Sequence, residues 1–115
     1  MLVTRLAARV LKNAESLLPV EIELDVDPGA AVTIVPATVL EELGVAATGE
    51  ETVALGGGDS GVRKVGRARV EIRGRAADTK VAFGAEGDRP LLAPAVLEEC
   101  GLMLDPATGR VLPTP

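Results

Sequence analysis

LDVDPGAAVTIVP, residues 24–36, places an aspartate at the mouth of a tight Asp-Pro-Gly turn between two apolar runs. Upstream, residues 19–27 alternate strictly. Val20, Ile22, Leu24 and Val26 face one way and Glu21, Glu23, Asp25 and Asp27 the other, the period of a half-buried strand. After the turn, Val32 to Val35 form a second, β-branched strand. Pro36 reads as the first helical residue of PATVLEELG, which Gly44 stops. Residues 52–55 and 62–73 read as strands around the flexible tip GGGDSG. Arg73-Gly74 turns the chain into a third strand, with Thr79, Val81 and Phe83 on its buried face. A Gly-, Asp- and Pro-rich loop (84–90) leads to Leu91-Leu92 and the closing PAVLEECGLMLDPATGRVLP. PATVLEELGV (36–45) and PAVLEECGLM (94–103) share one punctuation: proline, short amphipathic helix, glycine, apolar strand. Two similar halves would produce such an echo.

The chain has 115 residues, one domain's worth, and a formal charge of −5. Its apolar 47% is aliphatic, since Phe83 is the only aromatic residue. Without a basic stripe or aromatic platforms it is not expected to bind nucleic acid. No apolar run approaches membrane-spanning length. Arg5, Arg9 and Lys12 interrupt the N-terminal segment, unlike a signal peptide, and the lone Cys100 fits a reduced, cytoplasmic setting. With no histidine and one cysteine, Ser-His-Asp and Cys-His catalysis and His/Cys zinc sites are excluded. Gly56-Gly57-Gly58 runs into Asp59-Ser60, so it is not a phosphate loop. Any acid–base chemistry must use carboxylates or lysines.

The order strand, D-x-G-A, Thr33, Pro36 and a helix ending in Leu-Gly resembles the retropepsin-like aspartic proteases, above all their small bacterial and archaeal members. The Gly-bearing hairpin at 54–61 lies where that family carries its flap. PLLAPAVLEECGLMLDPATGRVLP resembles its closing strand, helix and tail, and ARVLKN its first strand, so residues 3–11 are expected as strand. The resemblance covers nearly the whole chain. It implies an all-β, closed β-barrel-type fold with two short helices, one domain over residues 1–115, acting as a homodimer. The implied function is aspartic endopeptidase on peptide or protein substrates, with no cofactor and no metal. Asp27 from each chain would form the catalytic dyad, one carboxylate acting as base on water and the other as acid. Pro28, Gly29, Ala30 and Thr33 would form the active-site loop, with Gly29 in a backbone conformation closed to other residues. Asp25, Gly56, Gly57, Gly58, Gly61, Leu92 and Ala93 would contact substrate or form the flap.

Three positions depart from the family pattern. Pro28 stands where a Thr or Ser hydroxyl bonds across the dimer axis, Asp25 where an apolar residue faces substrate, and Ala93 where a glycine is usual. If Asp25 points with Asp27, a dimer gathers four carboxylates, and their repulsion is expected to favour protonation. Two further readings stay open: an inactive dimeric peptide-binding module, and a dimer whose Asp25 and Asp27 bind a divalent cation. Plainer readings apply to the rest. Glu21, Glu23 and Asp25 make a solvated strand face, as do Arg67, Arg69, Arg73 and Arg75. GGGDSG is a mobile hairpin tip, and Cys100 a small buried apolar residue.

Overall fold

Alternation along the first strand buries Leu6, Ala8 and Val10 and exposes Arg5, Ala7 and Arg9, so strand wins over helix there. The computed structural model describes residues 3–115. Nine strands and two short helices follow in the order β1 (Thr4–Leu11), β2 (Val20–Val26), β3 (Thr33–Pro36), α1 (Ala37–Leu43), β4 (Ala47–Gly56), β5 (Asp59–Ile72), β6 (Arg75–Gly84), β7 (Leu91–Leu92), α2 (Pro94–Glu99), β8 (Leu102–Leu104) and β9 (Val111–Pro113). The all-β expectation holds. Strands β4 and β5 are longer than the sequence pattern indicated, because polar edge residues 47–51 pair with 63–66 beyond the apolar run.

The main sheet runs β1-β2-β7-β3-β6-β5-β4, and β1 pairs a second time, setting Val10 opposite Val70 in β5. The two halves interlock. Strand β7 lies parallel to β2, β3 lies parallel to β6, and β3 and β7 meet antiparallel at Ile34 and Leu91. Each short strand feeds a short helix, which gives the repeated sequence punctuation a structural counterpart. Pro36 is the cap of α1 rather than its first residue, whereas Pro94 opens α2, where a missing N–H costs nothing. Gly44 ends α1 in the left-handed region, as expected.

Three aliphatic clusters fill the interior. The largest joins Leu6, Leu24, Val70, Leu92, Val96 and Leu97; the second gathers Val10, Val35, Leu40 and Val81; the third, Ile34, Val53, Val65 and Leu91, lies under the β4–β5 hairpin. On β6, Val81 is fully buried while Thr79 and Phe83 are only half-buried. Two of the arginines expected on a solvated face, Arg73 and Arg75, are exposed and also hold the C-terminal segment. The Arg73 guanidinium donates to the Val111 carbonyl at 2.7 Å, and Arg75 to those of Cys100 and Gly101 at 3.1 and 2.9 Å. The Cys100 and Gly101 carbonyls lie at the end of α2, whose last turn carries no basic residue of its own. Cys100 is buried as expected, and burial pushes its thiol pKa up. No helix among the described residues is long and apolar enough to cross a membrane.

Candidate active site

Asp27 immediately follows β2, where the strand is held against β7. The Asp25 and Asp27 amides donate to the Pro90 and Leu92 carbonyls at 3.0 and 3.1 Å. The turn is closed twice. Ala30 N–H donates to the Asp27 carbonyl at 3.0 Å, and Gly29 N–H to Asp27 Oδ1 at 2.9 Å. Pro28 sits where its fixed φ suits the first central position of such a turn, with Asp leading. Gly29 has no positive φ, so the expected restricted conformation is absent; the turn needs only ordinary backbone here. Ala30 is buried and anchors the loop from below. Thr33 is 1% exposed, and its Oγ1 accepts the Ala93 N–H at 3.0 Å, tying the Asp27 loop to the start of α2.

The β4–β5 hairpin closes through Gly57-Gly58. Both have positive φ (63° and 84°), which suits the turn to the twist of its flanking strands. Gly56, also at positive φ, comes close to the aspartate: a β-carbon placed there would lie 3.8 Å from Asp27 Oδ2. Gly61 is not part of the tip. It pairs with Val53 inside the ladder without a positive φ.

A cleft of about 530 Å³ contains Asp25, Asp27, Pro28, Gly29, Gly56, Gly57, Arg89 and Leu91 among its walls. Leu92 and Ala93, expected at the substrate, are buried in the interior instead; the period of two turns Leu91 to the cleft and Leu92 to the core. Gly58 does not line it either. A second cleft of about 560 Å³, between α1 and the strands β4 to β6, contains none of the Asp27 loop.

Asp25 differs most from expectation. It is 7% exposed rather than solvated, and it does not repel Asp27 as a free charge. Arg89 Nη2 donates to its Oδ2, and Arg5 Nε to its Oδ1 at 3.0 Å. The Arg89 hydrogen bond, seconded by Arg5, holds the Asp25 carboxyl below the usual carboxylate range against the opposing effect of burial. The expected four-carboxylate repulsion therefore gives way to an arginine clamp around one of the two positions. With both oxygens of Asp25 engaged by cations, Asp25 and Asp27 are poorly suited to share a metal ion. Among the described residues no cluster of three or more acidic or thiol groups has metal-binding geometry. The loop carrying Arg89 is itself fixed: Arg63 grips Asp88 through Nε–Oδ2 at 2.7 Å and Nη2–Oδ1 at 2.9 Å, and Ala85 N–H donates to the same carboxylate. The sequence pattern marks neither Arg5 nor Arg89 as a partner of Asp25. Arg5 faces Asp25 directly in the β1–β2 register, a signal visible only once both strands are aligned.

No family model matches the sequence, and no curated protein does. Among solved structures, the chain is similar to the foamy viral protease-reverse transcriptase, determined in complex with an RNA/DNA hybrid. The TM-score is 0.60 at 19% identity, over 84% of this chain and 12% of that one. The likeness is one of fold. This chain spans only a small fraction of that protein, so the similarity bears on architecture and not on the larger protein's activities.

Proposed function

We propose that the chain is a retropepsin-like aspartic endopeptidase, one domain over residues 1–115 that works as a two-fold dimer. The observation that carries this reading is the setting of Asp27. It stands at a strand end, its Oδ1 held by the Gly29 amide, its Oδ2 towards the glycine hairpin, on the wall of a cleft able to take a peptide. The β1–β5 pairing, which joins the first strand of the order to the last but one, supports the closed barrel-type fold. The likeness to a protease-containing viral chain points the same way.

One chain carries one such aspartate loop, so a dyad needs two copies, and a C₂ arrangement supplies them. Two carboxylates in contact share one proton. The ionised member takes a proton from water as it attacks the peptide carbonyl, and the protonated member donates its proton to the developing oxyanion. The first member then passes the proton it took to the leaving nitrogen as the C–N bond breaks, while the second recovers a proton from the intermediate's hydroxyl. No cofactor enters these steps. The hairpin over Asp27 would exclude bulk water while they occur.

Digestion of a peptide library at several pH values tests the proposal. Cleavage that Asp27→Asn abolishes and a pepstatin-type inhibitor blocks is the expected result. Cleavage that survives Asp27→Asn would overturn it. Tight peptide binding without cleavage would instead favour the peptide-binding module.

A further inference from the structure

The clamp around Asp25 holds more positive charge than its carboxylate neutralises. One guanidinium suffices to balance one carboxylate, yet Arg5 and Arg89 both bond it, so part of the clamp's positive charge is left to groups beyond Asp25. Arg5 leans outward towards Glu23, at 4.0 Å. Arg89 is the basic residue of the Asp27 cleft, its side chain 58% exposed. Among the described residues its only protein acceptor is Asp25, reached through Nη2, so Nε and Nη1 remain available to a ligand. Its position is also pre-organised. Asp25 holds the guanidinium, Asp88 before it is gripped by Arg63, and Pro90 after it restricts the backbone.

We propose that Arg89 is a specificity-determining residue that selects peptide substrates with a carboxylate side chain, Asp or Glu, at one position beside the scissile bond. A planar guanidinium fixed at one end presents a fork matched to a carboxylate, and Leu91 and Val26 on the same wall give the rest of such a side chain apolar packing surface. Asp25 sets the direction of that fork. The inference rests on the reading of this cleft as a peptide site.

The test uses pairs of labelled peptides that differ only by Glu against Gln, with the substitution moved along the positions flanking the cleaved bond. Wild type should prefer Glu in kcat/KM at one position, by roughly tenfold. Arg89→Met should bring that ratio to about one, and Arg89→Lys, which keeps the charge but loses the fork, should leave it intermediate. Because each ratio compares two peptides on one protein, partial misfolding of a variant does not produce the result. A wild-type ratio near one at every position, or a Glu preference undiminished in Arg89→Met, overturns the inference. If no peptide is cleaved, the proposed function fails separately. Fluorescence anisotropy with the same pairs then decides: Arg89-dependent tighter binding of the Glu peptide sustains the inference, and equal binding overturns it.

Discussion

At Gly29 the demands of folding and of function separate. Its φ is ordinary, and an added β-carbon would meet Asp27 Oδ1 at 3.5 Å, a normal van der Waals contact. Nothing among the described residues of one chain requires a glycine there. Gly29→Ala should therefore leave the isolated chain's stability unchanged or raise it by up to about 1 kcal/mol through the unfolded state. If the loop meets a second copy or a substrate backbone, the same methyl should cut cleavage at least roughly tenfold. Denaturant titration beside peptide turnover checks both halves, and equal turnover would move the glycine's role away from the site. Asp27 and its turn were legible in the sequence because Asp-Pro-Gly encodes its own local geometry. The state of Asp25 was not, because period-2 alternation assigns a face and says nothing of what covers it. Two arginines distant in sequence decided that.

The loop between β6 and β7 behaves as an element although it has no regular structure. Two ion pairs staple it, Arg63–Asp88 to the hairpin strand and Arg89–Asp25 to β2. Arg63 and then the Ala85 amide hold the Asp88 carboxyl below its usual range against burial, as Arg89 and Arg5 do for Asp25. Both folded-state pKa values are depressed, so the stability they contribute is present above the unfolded carboxylate value of about 4 and is lost as pH falls through the lower folded values. Thermal melts from about pH 6 to about pH 2 should show a steep acid limb, and the double variant Asp25→Asn, Asp88→Asn should flatten it while lowering the midpoint near neutrality. An acid limb as steep as wild type would show that other carboxylates carry it. The regular elements around this loop were readable from alternation, proline and glycine. The loop was not, because ion pairs between segments far apart leave no periodic trace.

For the whole molecule, Pro28 makes the proposed dimer measurable. It is exposed at the tip of the Asp27 turn, with neither the hydroxyl nor the N–H that the family-like Thr would offer a second copy. Four lost hydrogen bonds at about 0.5–1.5 kcal/mol each weaken association by roughly 2–6 kcal/mol. The stiffer loop offsets less than about 1 kcal/mol of that. Pro28→Thr should then tighten dimerisation by about five-fold to several-thousand-fold in sedimentation equilibrium and raise turnover at fixed protein concentration. An unchanged or weaker dimer would place this turn away from the two-fold axis. The architecture was legible as far as the order of strands, helices and turns. Nothing in one chain's sequence pattern announces the second pairing of β1, since strand periodicity names faces and not neighbours.

That second pairing governs how the chain reaches its fold. Strand β1 meets β2 through a local hairpin, but Val10 pairs with Val70 across about half the length of the sequence. During synthesis, β1 waits with one edge unsatisfied until β5 emerges. Late closure of a long loop carries an entropic cost before any contact rewards it, and such topologies fold on the order of milliseconds to seconds. Both valines are fully buried, so Val10→Ala and Val70→Ala should destabilise the chain chiefly by speeding its unfolding, with refolding little slowed. Stopped-flow kinetics showing the reverse would put this seam in the nucleus, and the first strand would then be the template on which the rest of the sheet is laid down.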